Sequence, residues 1–436
     1  MAAYALLAVA VLAALYFWEG RSYIDQSDGV YAYTARAALD GRELYGEIAA
    51  AQPPVIYWVG EGILAVNDSV WGLRAGLSVV LLVTSALVAF AVWRLTARLF
   101  IAGLAGVVFM LAPWTLHEHT ALVPETLASP LLLAGALASA RRRGAVAGGA
   151  LLAVAVTVKL AFVLPAVAVI VAAIRRRACL LGFGVAVTGL GLAFVAAYGS
   201  AFVDNAIVAQ LQSGHHAVRD IVELWIQSAW NELPLLVLAG LAWRYRDETR
   251  DPALLRTLTA LAIGAGLLVI TFYKQGTVHQ LLMVLEAPAC ALAASGGLWF
   301  ARDLRSRHDL FRDRVAGIAV VGCAVLVGAQ SASFLVSPTN PVLFRRPSGP
   351  TLGWPLDKDE VAAAVTKASR CPPGVPYSGP TYVAFVARRT MPGGQADQFI
   401  ITSDVNARFA RAVRADRVVC PVGPPPAEHD FGLAPP

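Results

Sequence analysis

Charge is what this sequence has least of: Asp, Glu, Lys and Arg make up 15% of its 436 residues, against 57% hydrophobic residues. Soluble domains carry about 25% charge and 45–50% apolar residues. The deficit is gathered into long apolar stretches, which excludes a soluble globule and gives a polytopic membrane protein. Cysteine is scarce as well, with five in the chain. Cys179, Cys290 and Cys323 fall inside apolar stretches, where a thiol behaves as a small hydrophobe. There is no repeat of fixed period, no heptad pattern and no low-complexity tract apart from a Pro-rich tail. The first stretch, "MAAYALLAVAVLAALYFW", lacks a basic n-region and a clear small-residue cleavage site before "EGRSY". It therefore reads as a retained span rather than a signal peptide. No basic-aromatic motif for nucleic acid is present, so the net charge of +6 is assigned to arginine-rich loops that fix topology.

A helix needs about 20 apolar residues to cross a hydrocarbon core of about 30 Å. Runs at 2–18, 75–93, 99–116, 125–140, 178–200, 233–243 (beginning upstream near Trp225), 255–272, 281–300 and 315–336 qualify as spans. Between Arg143 and Arg175 lies an apolar stretch of about 30 residues, interrupted by Lys159 and Pro165. As one helix it would extend roughly 45 Å, well beyond the core. As two short helices turning near Lys159, it returns to the side it left.

Charge decides between these. "RLTAR", the "RRR" triplets at 141–143 and 175–177, "RYRDETR" with Arg256, and "RDLRSRHDLFRDR" hold 17 of the 35 Lys and Arg. The hairpin puts all five clusters on one side, which the positive-inside rule makes cytoplasmic. The opposite loops hold seven: Arg21, Arg36, Arg42, Arg74, Lys159, Arg219 and Lys274. The expected architecture is thus an all-α polytopic module over residues 1–336 with about eleven transmembrane helices. It lies in the plasma (inner) membrane, N-terminus cytoplasmic. Its first outer loop, 19–74, carries amphipathic interfacial helices.

Residues 337–436 differ in kind, with more Pro, Gly and charge. "LDKDEVAAAVTKASR" reads as a capped amphipathic helix, and "FIIT" and "DRVVCP" as strands flanking a helix near 404–415. The expectation is a small α/β domain outside the membrane, ending in the Pro-rich tail. Cys371 and Cys420 are its two cysteines, and an oxidising exterior permits them to pair.

Polar chemistry gathers on the outer side. The outer loops hold five of the seven histidines (His117, His119, His215, His216, His279), and Glu19 to Asp68 hold eight of the 29 carboxylates. A channel or transporter instead tends to place polar groups near the midplane, on broken helices. The first loop, "SDGVYAYTARAALDGRELYGEIAAAQPPVIYW", resembles that of GT-C glycosyltransferases that use polyprenyl-phosphate sugars, including the protein mannosyltransferase and aminoarabinose transferase families. In them an acidic motif follows the first span, then an amphipathic helix, a "G…lY" element, a "PP" turn and a second interfacial helix. The likeness continues in "VPETL" at 123–127, "TVKLAFVLP" at 157–165, "HQLLMVLEAP" at 279–288 and "YVAFVARRTMPGGQADQF" at 382–399.

What this resemblance implies is an inverting transfer of a sugar from a polyprenyl-phosphate donor to an acceptor hydroxyl of a glycan, lipid or protein. Such a reaction needs a base for the hydroxyl and cations for the departing phosphate. The base is Asp28 by its spacing to Tyr31, or Asp25 three residues earlier; the family's Asp-Glu pair is absent, since Gly29 follows Asp28. Lys159, Lys274 and Arg219 are the outer cations, His279 is a further donor, and Glu125, Tyr31 and Arg36 complete the candidate donor site. Each has a plainer reading. Asp28 caps a helix starting near Val30; Lys159 and Lys274 snorkel to the interface; Glu125 complements a helix dipole; Tyr31 and Arg36 anchor a helix to headgroups. The histidine pairs lack the i,i+4 spacing and nearby cysteines of zinc sites. No metal ligand set is assigned and no cofactor is required. The rival classes are a lipid or solute transporter and a glycan ligase using a lipid-pyrophosphate donor; a transporter has no need for acidic residues and "QPP" between interfacial helices.

The charge pattern makes a topological prediction. Single cysteines in the 201–224 loop and the C-terminal domain should react with an impermeant thiol reagent added outside, and cysteines at 141–143 or 302–314 should not. Labelling of 141–143 and 175–177 from opposite sides would contradict the hairpin.

Overall fold

The computed structural model of the chain describes residues 2–19, 26–118, 120–212, 217–273, 279–306, 310–336, 358–396, 406–416 and 419–421. Helices dominate it. α1 (Ala2–Glu19) is followed by α2 (Gln26–Leu39) and α3 (Val55–Val66) in the first loop. The bundle continues with α4 (Val70–Thr96), α5 (Leu99–Met110), α6 (Pro113–Glu118), α7 (Pro124–Ser139), α8 (Ala145–Val158) and α9 (Val163–Ala172). Then come α10 (Arg176–Val203), α11 (Ala209–Gln212), α12 (Val218–Arg244), α13 (Pro252–Gly266), α14 (Met283–Ser306) and α15 (Leu310–Val336).

The boundaries follow from local chemistry. Ser69 caps α4 by accepting the Gly72 N–H at 3.0 Å, and α4 ends where Ala97 turns left-handed at φ 54°. Asp251 caps α13 with Pro252 in its first turn, the pairing of polar cap and proline that suits a helix start. Among the described residues, four helical segments are long and apolar enough to cross a membrane: 70–96, 176–212, 252–273 and 280–304. Shorter apolar helices, among them α5, α8 and the 160–172 segment, pack between them. The expected span at 99–116 is two helices, not one, because Pro113 cannot donate an N–H and disfavours helix in the residue before it. α12 begins at Val218, upstream of Trp225.

The chain breaks where the hairpin requires. Lys159 is extended (φ −155°, ψ 127°) between α8 and α9, and the Ile174 N–H donates to Ser139 O at 3.3 Å, bringing 139–143 and 174–177 to one end of the bundle. The same end collects the other basic clusters. Arg94 pairs with Asp251 and donates to Leu137 O at 3.3 Å. The Arg250 N–H donates to Leu95 O at 3.1 Å, Arg256 Nε to Ala172 O at 2.8 Å and Tyr245 Oη to Asp303 at 3.0 Å. α7, 16 residues or about 24 Å long, runs from there to the opposite end, where the first loop lies.

The C-terminal residues contain α16 (Lys358–Ser369), β1 (Tyr377–Ser378), α17 (Thr381–Val386), α18 (Ala407–Ala415) and β2 (Cys420–Pro421), with β1 and β2 a parallel pair. "FIIT" lies outside the described residues. This part is packed onto the first loop through a shared core that includes Ile48, Tyr57, Tyr377, Phe385 and Met391. Burying a side chain such as Phe385 contributes about 1.5–3 kcal/mol. Hydrogen bonds add register: Met391 N–H to Tyr33 Oη at 3.0 Å, Ala49 N–H to Gln395 Oε1 at 2.8 Å, Arg42 to Gly394 O at 2.8 Å and Arg408 to Tyr45 O at 2.6 Å.

Cys371 and Cys420 are joined, with Cα atoms 5.8 Å apart and a sequence separation of 49. A loop of that size contributes roughly 2–4 kcal/mol when cross-linked. Peptide mapping without reductant should recover the 371–420 bridge, and Cys371→Ser/Cys420→Ser should melt several degrees lower. Two free thiols in the native protein would contradict the assignment.

Candidate functional site

Asp28, in the first turn of α2, has no exposed surface. A buried carboxylate needs hydrogen bonds or a counter-charge, and this one has both. Its Oδ1 accepts the Leu122 N–H at 2.5 Å, and Arg74 Nη2 lies 3.5 Å from its Oδ2. Arg74, itself buried near the start of α4, donates through Nη1 to Thr120 Oγ1 at 3.0 Å. The first loop, the second long helix and the 120–122 connection therefore meet on one carboxylate.

α17 covers this cluster. A Cβ on Gly29 would stand 2.6 Å from the Tyr382 nitrogen and 2.7 Å from its Cα, so the residue after Asp28 has room for no side chain. Burial pushes the Tyr382 phenol up to about 12; Arg74 opposes the rise and the Asp28 charge adds to it. Tyr382 thus remains protonated at physiological pH, within electrostatic reach of both partners.

Glu125 follows Leu122 by three residues, in the first turn of α7, and is fully buried. Lys159 Nζ donates to its Oε1 at 3.0 Å from the break between α8 and α9. Two separately nominated residues are thereby one ion pair, beside the connection that holds Asp28. Lys159 turns inward to a carboxylate and does not snorkel.

Arg36 serves another purpose. Its guanidinium pairs with Asp68 at 2.7 Å, donates to Phe385 O at 2.5 Å and stands 3.8 Å over the Phe385 ring. Arg388 grips the other Asp68 oxygen at 2.7 Å. Asp68 is thus a clasp between the first loop and the C-terminal part, and Arg36 is engaged in that clasp. Tyr31 is half-buried, its ring 6.1 Å from that of Tyr57. Arg219 is exposed at the start of α12 and does not join the Asp28 cluster. His279 begins the single turn that leads into α14, and His117 lies in α6; their side chains are outside the description. Asp25, Lys274, His119, His215 and His216 lie outside the described residues.

Arg74, Thr120 and Tyr382 were not among the residues nominated from the sequence. Arg74 left a signal: it is the one charge in "SVWGLRAGLSVVLLVTSALVAFAVW", and a lone cation early in an apolar helix requires a partner. Thr120 and Tyr382 left none.

No family profile and no curated protein sequence matches the chain. Among solved structures, the crystal structure of ArnT from Cupriavidus metallidurans bound to undecaprenyl phosphate is similar over 96% of this chain and 89% of its own, with a TM-score of 0.62 and 15% identity. A likeness at that identity carries the fold rather than the reaction. Because it runs through the first loop, the bundle and the C-terminal part alike, the chain shares its fold with that protein over nearly its whole length.

Proposed function

We propose that this protein is an inverting glycosyltransferase that moves a sugar from a polyprenyl-phosphate donor to an acceptor hydroxyl at the outer face of the plasma membrane. The observation that carries this reading is the buried Asp28–Arg74 cluster with the Glu125–Lys159 pair beside it. They lie at the end of the bundle remote from the arginine clusters, in a fold shared with a protein solved with undecaprenyl phosphate.

The chemistry assigned to these residues balances as follows. Asp28 takes the proton of the acceptor hydroxyl as that oxygen attacks the anomeric carbon. The bond from that carbon to the phosphate oxygen breaks on the opposite face, its electron pair remains on the phosphate, and the configuration inverts. Lys159 is assigned to the charge growing on the leaving phosphate, with Lys274, His279 and Arg219 as further candidates from the sequence. General-base assistance contributes typically 10²–10⁴-fold. Asp28 has no exposed surface and Tyr382 abuts Gly29, so α17 and α2 separate to admit the acceptor.

Mass spectrometry of envelope glycans and lipid-linked sugars in a deletion strain should show one polyprenyl-phosphate sugar accumulating and one glycan losing a residue. That lipid extract then serves as donor. Asp28→Asn should lower transfer by roughly 10²–10⁴-fold while undecaprenyl phosphate binds as to the wild type. The rate is taken per folded protein, since Asn leaves the buried Arg74 charge less compensated. Lys274→Ala should weaken both lipid binding and turnover, and Asp25→Asn should lose less than Asp28→Asn. Wild-type transfer by Asp28→Asn with an inactive Asp25→Asn moves the base to Asp25; full activity in both sinks the mechanism.

A further inference from the structure

Glu286, on the first turn of α14, is a fully buried carboxylate that the proposed chemistry does not use. Its Oε1 accepts the Trp114 N–H at 2.8 Å, and its Oε2 accepts both the Thr115 N–H at 2.6 Å and the Thr115 hydroxyl at 2.7 Å. Trp114 and Thr115 open α6, where backbone N–H groups have no partner within the helix. A charged acceptor meets that need with bonds roughly twice as strong as neutral ones.

The segment this anchors is the one that reaches Asp28. From α6 the chain passes through the Ala121 N–H to Glu118 O bond (3.0 Å) and the Val123 N–H to Ala121 O bond (2.9 Å), while Thr126 donates its hydroxyl to Glu118 O at 3.2 Å. Within this connection Thr120 receives Arg74, and the Leu122 N–H is held by Asp28. Trp114 and Thr115 are thus held by one buried carboxylate, Glu286, and Leu122 further along by another, Asp28. The placement of Thr120 and Leu122 follows from how α6, which precedes them, is fixed.

We infer that Glu286 is a positioning residue for the Asp28 site: it fixes α6, and through α6 the backbone donor and the hydroxyl that orient Asp28 and Arg74. This rests on the proposed role of Asp28. A neighbouring buried carboxylate, Glu232 on α12, interacts electrostatically with Glu286 and hydrogen-bonds the Trp114 side chain, so it supports α6 from a second side while Glu286 holds the backbone.

Glu286→Gln keeps the shape but turns an amide N–H₂ toward a group that donates to it. Two measurements test the role: transfer with the lipid extract from the deletion strain as donor, and amide hydrogen exchange of the full-length protein. The transfer rate at saturation should fall about 10- to 100-fold, the loss expected for a misplacement near 1 Å, with half-saturation by lipid within about twofold of wild type. Exchange in the 116–123 peptide should accelerate. Thr115→Val should show the same pattern in weaker form, and Thr115→Ser should restore it. Unaltered exchange at 116–123 in Glu286→Gln overturns the inference whatever Asp28 does. So does faster exchange with a wild-type rate while Asp28→Asn is inactive, or a rate lost in step with lipid binding. A fully active Asp28→Asn overturns the reading of Asp28 itself, and this inference with it.

Discussion

A carboxylate sealed inside a membrane protein has to be answered by charge or by hydrogen bonds, and the arrangement around Asp28 follows from that constraint. Left alone, such a charge costs several kcal/mol even after relaxation. Here a backbone N–H from Leu122 and the guanidinium of Arg74 share it, and Arg74 is shared in turn with Thr120. Removing any of these leaves another buried polar group without its partner, so α2, α4 and the 120–122 connection are fixed as a set. The neighbouring Glu125–Lys159 pair repeats the solution at the break between α8 and α9. At that break the Lys159 charge, which an apolar bundle could not hold alone, is met by the Glu125 carboxylate.

The two ends of the molecule manage charge differently. At the arginine end, clusters sit on short connections, and their bonds are largely to helix-terminal carbonyls such as Leu137 O and Ala172 O. Cations there complement helix ends and stay partly exposed. At the other end two cations, Arg74 and Lys159, are each set against a buried carboxylate, Asp28 and Glu125. Surface pairs are worth little and tolerate loss, whereas breaking a buried pair by removing one partner costs about 3–5 kcal/mol. A site built from buried pairs is therefore rigid, which suits the proposed reaction, whose base and leaving-group cations must hold their separation.

Much of the frame was legible in the sequence because it rests on local or additive signals. Apolar length gave the helices. A lysine inside an apolar stretch too long for one span gave the break at 159. The summed arginine count put five clusters at one end, where the Ile174–Ser139, Arg250–Leu95 and Tyr245–Asp303 bonds bring them together. Asp28, Glu125 and Lys159 were legible as isolated charges near helix ends, but their pairing was not, since Glu125 and Lys159 are 34 residues apart and nothing local links them. The break at Pro113 was missed because hydropathy runs straight through it. Arg36 was legible only as an interfacial cation. Its partners, Asp68 and a carbonyl 349 residues downstream, exist only once the chain is folded. Glu286 read as part of a helix, and the backbone it caps belongs to another.

That long-range clasp changes what the C-terminal part is. An accessory domain would touch the membrane module through a small, polar contact. Here Phe385, Met391 and Tyr377 share a core with Ile48 and Tyr57, and the Arg36–Asp68–Arg388 clasp closes over Phe385. The first loop cannot complete its packing until the last 60 or so residues have been made, so the site is assembled from both ends of the chain. α17 lies directly on α2, with Tyr382 against Gly29, and on the proposed chemistry an acceptor reaches Asp28 by passing between them. The base and its partners are then common to any acceptor, whereas the passage is shaped by residues 381–396. On that proposal, variation in this segment would change which hydroxyl is admitted while leaving the proton transfer untouched, and the 371–420 disulfide ties the end of α16 to β2 beside it.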